Sequence, residues 1–369
     1  MLRTRNNQPN ANHDKPAICP PGACPSELRF DLVSKDWVLI ATVRARRPES
    51  FKKDKRKVWE EKKEKCPFCS ISIQETPTLI YARGEKRSWE QPLTPKGLVL
   101  ARAIPSDWTT VVVPNKYPAF TQGTGLKERE EGPYRFMNGI GFHEVIVTRD
   151  HKRSFAQFTP EEAKEVFDVY QERYLDLMNE KFVNYISIFH NHGPEVGASV
   201  AHPHSQLIAI PLTDPDIAGS IMGSADYWKA NKKCVHCAML EWDMKDERRI
   251  VFENKEFVAL CPFASRMAFE VRIYPKTHLA YFERVTGEQK KYLAEAFLAV
   301  MKKLDIGLSD PPYNFFLHTA PCDGKNYDHY HWHLEILPKT STWAGFELGA
   351  GIEISTIEPE KAAAYLKKQ

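Results

Sequence analysis

Residues Gly193-Pro194-Glu195-Val196-Gly197-Ala198-Ser199-Val200-Ala201-His202-Pro203-His204-Ser205-Gln206 carry the most informative pattern in the chain. A Gly-rich loop, whose backbone N–H groups suit phosphate oxygens, runs into two histidines separated by one proline. Alternate residues of a strand share a face, so His202, His204 and Gln206 are predicted to line one side of the strand that follows. A near-copy lies downstream, at His331-Trp332-His333-Leu334-Glu335.

The surroundings of the two motifs also repeat. Upstream of His202 come Cys66-x-x-Cys69, an alternating strand over 142–148 ending at Asp150-His151, and a helix from Thr159 to about Asn179. Upstream of His331 come Cys234-x-x-Cys237, a strand over 269–274 ending at Lys276-Thr277-His278, and a helix from Thr286 to Leu304. Thr159-Pro160-Glu161-Glu162 is a strong helix start, with a hydroxyl cap, a first-turn proline and acids at the positive end of the dipole. Strands over 185–189 and 206–210 bracket the Gly-rich loop, and 314–317 stands in the corresponding place of the second half. The interval from His151 to His202 nearly equals that from His278 to His331, as a duplication requires.

The fold expected is therefore α+β, with two tandem units, each an antiparallel sheet with a helix packed on it. The Pro/Asp/Gly-rich piece PLTDPDIAGS marks the join, near 212–230. The divisions are a Pro- and Asn-rich arm over 1–26, a first unit over 27–215 and a second over 216–369. Within the first unit, 36–41 and 109–113 read as further strands, and the Lys-rich 52–65 as a solvated loop or short helix.

Zinc favours four Cys and His ligands in a tetrahedron, and a C-x-x-C turn presents two thiolates to one ion. The repeat pairs Cys66 and Cys69 with His151 and His202, and Cys234 and Cys237 with His278 and His331. One zinc per unit is expected, with iron an alternative in the second. Each set uses four protein ligands, which leaves no open position for a reacting water and assigns the ions a structural role. His143 in the first unit, and His318 and His333 in the second, are alternative ligands; for His143 a half-buried strand histidine is the competing reading. For either C-x-x-C the competing reading is a redox pair or buried thiols. His190 and His192 read as loop polarity, and the single Cys261 and Cys322 as small buried hydrophobes.

Charge narrows the choice of partner. Lys plus Arg number 51 against 48 for Asp plus Glu, which gives no field strong enough to imply nucleic acid or a membrane surface. No apolar run approaches the roughly 20 residues that cross a bilayer, and the N-terminus lacks the pattern of a signal peptide. The expected setting is cytoplasmic, with small molecules or a second copy of the chain as partners.

His204 is the residue placed to do chemistry. An imidazole with an ordinary pKa of roughly 6.5 is largely neutral in the cytosol; it can attack phosphorus and then leave from the phosphoramidate. Gln206 cannot act as a nucleophile or base, but its amide N–H can hold a phosphoryl oxygen as charge develops. The alternative is that both histidines only coordinate metal.

These residues resemble the galactose-1-phosphate uridylyltransferase branch of the histidine triad superfamily, whose signature is a Gly/Ser loop followed by His-Pro-His-x-Gln. The resemblance runs from Glu27 to about Pro359. It includes Asp36-Trp37-Val38, Arg44-Ala45-x-Arg47-Pro48, Asn115-x-x-Pro118-Ala119, Asn191-x-Gly193 and Gly345-Phe346-Glu347. It implies histidine-triad-like units, a homodimer and a double displacement: His204 takes a nucleotidyl group from a nucleotide sugar such as UDP-glucose and passes it to a sugar 1-phosphate such as galactose 1-phosphate. It also implies that Arg44, Arg47, Asn115, Asn191, Ser199 and Gln206 hold nucleotide and phosphates, while Glu347, and less directly Glu353, bind sugar hydroxyls.

Two departures bear on the substrate. Ser205 stands where the best-known members have Gly, and Ala198 where they have Cys; the Gly345–Gly351 segment looks more like relatives that include ADP-glucose phosphorylase. That enzyme, which passes an adenylyl group to inorganic phosphate, is the first alternative function. A non-catalytic zinc-stabilised nucleotide-binding module and a hydrolase are the others. Glu335 replaces the Gln of the motif in the second unit, and its charge would repel phosphate, so His333 is not expected to be a second nucleophile.

Overall fold

A computed structural model of the chain describes residues 26–44, 46–52, 62–69, 76–87, 104–123 and 125–369. The arm over 1–26, apart from Ser26, and most of the Lys-rich stretch lie outside the described residues. In chain order the elements are β1 (Glu27–Phe30), β2 (Trp37–Ile40), β3 (Leu79–Ala82), β4 (Glu85–Lys86), β5 (Thr110–Pro114), β6 (Glu128–Glu131), β7 (Tyr134–Met137), β8 (Phe142–Thr148), α1 (Pro160–Leu177), β9 (Tyr185–His192), β10 (His204–Ile210), α2 (Pro215–Asn231) and α3 (Val235–Asp246). They continue as β11 (Ile250–Glu253), β12 (Phe257–Leu260), β13 (Val271–Pro275), α4 (Gly287–Leu308), β14 (Tyr313–His318), β15 (His333–Pro338), α5 (Gly345–Ala350), β16 (Ile354–Ser355) and α6 (Pro359–Lys367).

Both principal helices start at a capping box, the first at the Thr159 cap expected from the sequence. Thr159 and Glu162 exchange side-chain and backbone hydrogen bonds at the head of α1, and Thr286 and Gln289 do the same for α4. The helices pack on each other and on one sheet face. There Ile186, Ile188, Leu207, Ala209, Phe315, Leu317, Leu334 and Ile336 meet Phe167, Tyr170, Tyr174, Phe297 and Met301 in the main core. Each such side chain contributes about 1.5–3 kcal/mol on burial. Because strand residues alternate, the partners of that apolar set, including His204 and Gln206, face the other side.

The duplication is visible in the sheet order, β11-β12-β13-β15-β14-β9-β10-β8-β5-β3-β4. Its centre, β13-β15-β14-β9-β10-β8, reads the same from either end once each strand is matched to its counterpart. The two antiparallel units expected from the sequence are present, each with its helix, but their strands form one continuous sheet. β9 pairs with β14 from Tyr313 opposite His192 to Leu317 opposite Ile188, so each inner edge satisfies the backbone donors and acceptors of the other.

The join holds a helix rather than an open linker. Asp214 caps α2 by accepting the Ile217 N–H, and Pro215 occupies its first turn, so a sequence that reads as a turn is equally a helix start. A Cβ on Gly223 would lie 1.9 Å from the Val33 carbonyl oxygen, so only glycine lets α2 approach the turn after β1 this closely. A separate three-stranded sheet, β1-β2-β16, covers part of the second unit, with Asp31 3.6 Å from Arg272 of β13.

Candidate active site and metal centres

The first cysteine pair lies in a turn, and His151 and His202 come to it from the ends of two neighbouring strands, β8 and β10. Cys69 Sγ is 3.2 Å from His151 Nδ1 and 3.6 Å from His202 Nδ1; Cys66 Sγ is 3.5 Å from His202 Nδ1, and the two Nδ1 atoms are 3.3 Å apart. A tetrahedral ion with bonds of roughly 2.0–2.3 Å separates its ligands by roughly 3.3–3.8 Å, so these spacings fit a metal ion at the centre. His202 Nε2 donates to the Thr148 carbonyl at 2.6 Å, which turns its Nδ1 lone pair inward. Burial pushes this imidazole down to about 4, keeping it neutral for ligation.

The second group repeats the pattern. Cys237 Sγ is 3.3 Å from His278 Nδ1 and 3.5 Å from His331 Nδ1, while the far nitrogens donate to the carbonyls of Asp328 and Pro275. Cys234 completes the set at the head of α3. All eight ligands named from the sequence therefore fall into two groups of four that can hold a metal ion.

His204 is the first residue of β10, buried against the Phe68 ring at 4.9 Å between centroids. Its Nδ1 donates to the His202 carbonyl at 2.8 Å, so the lone pair is on Nε2. Burial lowers its pKa from the ordinary histidine value, which favours the neutral, nucleophilic form. The loop before it turns through two residues of positive φ, Gly193 at 102° and Gly197 at 90°. Ser205 points the other way, toward the helices, where its hydroxyl bridges Tyr170 and His190. That contact accounts for a residue larger than glycine at this position.

The face that carries His204 also carries most of the other residues singled out in the first unit. Gln206 follows on the same side, and its Oε1 lies 2.8 Å from His143 Nε2 on β8. Asn115, just past β5, places its Nδ2 3.1 Å from the same nitrogen. Asn191 is on the neighbouring strand β9, its amide held by Asn314 at 2.7 Å. Ser199 is exposed in the loop, and a cleft of about 630 Å³ opens along this loop, lined by Asn191, Gly193, His202, Lys52, Lys152 and Arg153.

Arg44, Arg47, Glu347 and Glu353 belong to another neighbourhood. The Glu353 carbonyl accepts the Leu39 N–H, and the Arg46 N–H reaches the Thr356 carbonyl, which ties the arginine segment to β16 over the second unit. Glu347 caps α5 through the Ala344 N–H. His143 is the half-buried strand histidine expected from the sequence rather than a metal ligand, and it has in addition polar contacts to Gln206 and Asn115 that no local pattern announced. Strand alternation puts it on the face opposite Glu144, but only the strand order brings it to Gln206.

The second unit's counterpart of this face keeps only a smaller cavity, about 250 Å³, lined with charged residues. Glu335 stands where Gln206 does, and it is ion-paired with Arg266 and Arg272. His333 is buried against the rings of Tyr274 and His318 and shares that cavity with Asp31 and Val38. His318, His333 and Glu335 bring possible ligand atoms within 4.8 Å of one another, separate from the Cys234/Cys237 group, but two guanidiniums beside Glu335 disfavour a cation there.

A duplicated sheet that presents a bare histidine nitrogen beside a Cys/His cluster defines a nucleotidyltransferase of the histidine triad class. The chain belongs to the galactose-1-phosphate uridylyltransferase family: residues 23–212 match the model described as its N-terminal domain, and 122–368 match a second one described as a domain of unknown function. It is 30% identical to ADP-glucose phosphorylase of Arabidopsis thaliana over 93% of this chain and 92% of that protein. It is 28% identical to galactose-1-phosphate uridylyltransferase of Thermotoga maritima, over 93% and 98%. Among solved structures, the Arabidopsis ADP-glucose phosphorylase with bound ADP-glucose superposes with TM-score 0.73 at 27% identity, over 93% and 99% of the two chains. A uridylyltransferase structure gives 0.66 at 28%, over 79% and 98%.

Proposed function

We propose that the chain is a hexose-1-phosphate uridylyltransferase of galactose and nucleotide-sugar metabolism, acting through a nucleotidyl-His204 intermediate. The observation that carries this reading is the bond from His204 Nδ1 to the His202 carbonyl, which leaves Nε2 as the attacking atom. In the first half-reaction Nε2 bonds to the α-phosphorus of UDP-glucose while the bond from that phosphorus to the bridging oxygen breaks, and glucose 1-phosphate leaves. In the second, a phosphate oxygen of galactose 1-phosphate attacks the same phosphorus and the phosphorus–nitrogen bond breaks, which returns the imidazole with its lone pair. Gln206, Asn115, Asn191 and Ser199 hold phosphates and nucleotide, with Arg44 and Arg47 as further phosphate partners; Glu347 and Glu353 bind sugar hydroxyls.

A second reading, ADP-glucose phosphorylase, uses the same atoms with inorganic phosphate as acceptor and ADP as product. The similarity to the Arabidopsis enzyme, together with the Gly345–Gly351 segment, favours it. Both Cys/His groups are assigned zinc, which suits two thiolates with two imidazoles, with iron the alternative in the second. The chain is further read as a cytoplasmic homodimer; no helix among the described residues is long and apolar enough to cross a membrane.

Intact-mass spectrometry after incubation with UDP-glucose or ADP-glucose tests the assignment. The expected result is a covalent uridylyl adduct discharged by galactose 1-phosphate. An adenylyl adduct discharged by phosphate selects the second reading, and no adduct with either donor overturns both.

A further inference from the structure

His143 is held from two sides. Its Nδ1 accepts the Ala119 backbone N–H at 3.1 Å, so that nitrogen bears a lone pair, and the neutral ring must carry its hydrogen on Nε2. Nε2 is 2.8 Å from Gln206 Oε1 and therefore donates to it. The remaining contact of Nε2, Asn115 Nδ2 at 3.1 Å, is then an approach of two N–H groups. The Asn115 amide cannot rotate to relieve this, because its Oδ1 accepts the Tyr117 N–H at 2.9 Å.

The consequence falls on Gln206. An amide side chain has two ends of similar shape, and a free glutamine beside the nucleophile would present oxygen to a phosphate as readily as N–H. With Oε1 tied to His143, the N–H end is the one left for a ligand, as it is for Asn115. We infer that His143 is a positioning residue for nucleotidyl transfer: its Nε2–H fixes the Gln206 amide so that N–H, not oxygen, faces the phosphoryl group on His204. The same ring, through Nδ1, holds the 115–119 turn in place, so the Asn115 and Gln206 donors are set by one side chain. This inference rests on the transfer reading above.

The test separates the two edges of the ring. His143→Asn keeps an acceptor near Nδ1 and loses the donor; His143→Gln keeps a donor near Nε2 and loses the acceptor. With the nucleotide sugar that forms the adduct, H143N is expected to lower kcat about 10- to 100-fold, with KM within about threefold. H143Q should restore most of that loss, and H143N/Q206A should be no slower than Q206A within about twofold. Losses that multiply in the double variant, or equal losses in H143N and H143Q, would overturn the assignment. Nitrogen-15 spectra of the wild-type imidazole give a reading independent of turnover and of variant folding: His143 should show a single Nε2–H tautomer, and an Nδ1–H form overturns the inference. Absence of any adduct in the wild type instead overturns the transfer reading, whatever the His143 spectrum shows.

Discussion

His204 is hydrogen-bonded through Nδ1 to the carbonyl oxygen of His202, 2.8 Å away, while the His202 ring belongs to the Cys66/Cys69 cluster. The proposed nucleophile is thereby oriented by the backbone of a residue whose own ring belongs to the Cys/His cluster, so the cluster's geometry reaches the Nε2 atom through one hydrogen bond. The direct consequence is that His204→Gly should abolish adduct formation and lower the transfer rate by at least about a thousandfold. The metal content and melting temperature should stay close to wild type. Substantial remaining transfer would remove His204 from its role.

If the first Cys/His group holds the proposed ion, its loss should act on fold and activity together. Cys69→Ser removes the thiol that lies within 3.6 Å of both His151 and His202, and elemental analysis is expected to fall from two ions per chain to one. The loss should destabilise the protein by more than about 2 kcal/mol, because ligation free energy is folding free energy at such sites. Transfer should fall as the His202 backbone loosens. An unchanged metal count in this variant would contradict the ligand assignment.

Glu360, at the head of α6, joins Arg29 of β1 at 3.0 Å and Arg249 beside β11 at 2.9 Å. Burial alone would raise its pKa, but the two guanidiniums outweigh that and hold the carboxyl below its usual range. A depressed carboxyl pKa contributes stability that is complete above the unfolded value and is lost as pH falls through the folded one. Glu360→Gln should therefore cost about 2 kcal/mol at neutral pH, and the gap from wild type should narrow as pH falls below about 4.5. Denaturant melts at pH 7 and pH 4 check the sign; a gap that widens in acid would refute it.

Arg173 of α1 grips Glu144 of β8 with two bonds of 2.8 Å, both side chains buried. Arg173→Leu strands a buried carboxylate and should cost about 3–5 kcal/mol. Glu144→Leu in the same chain should recover most of the loss, since a matched apolar pair needs no counter-charge. If the double variant is no more stable than R173L, the pair is not the source of the effect. Because Glu144 and His143 project to opposite faces of β8, the ion pair also keeps the strand in register for the active face.

Local chemistry is legible in the sequence. The helix start at Thr159 follows from its capping residues, the helix from Thr286 from its place in the repeat, and the two C-x-x-C turns with their paired histidines mark the Cys/His groups through the same repeat. The nucleophile was legible for the same reason: His202, His204 and Gln206 lie within five residues, and strand periodicity fixes which of them share a face. Relations between distant segments were not legible. The β9–β14 pairing that fuses the two units, the meeting of His143 with Gln206 and Asn115, and the cavity that His333 shares with the 31–38 segment all depend on tertiary contacts that no local pattern encodes. Sequence thus specified which side chains carry the chemistry, because their identities and spacings are local properties. Folding alone specified which neighbour orients each of them, because that depends on contacts between residues far apart in the chain.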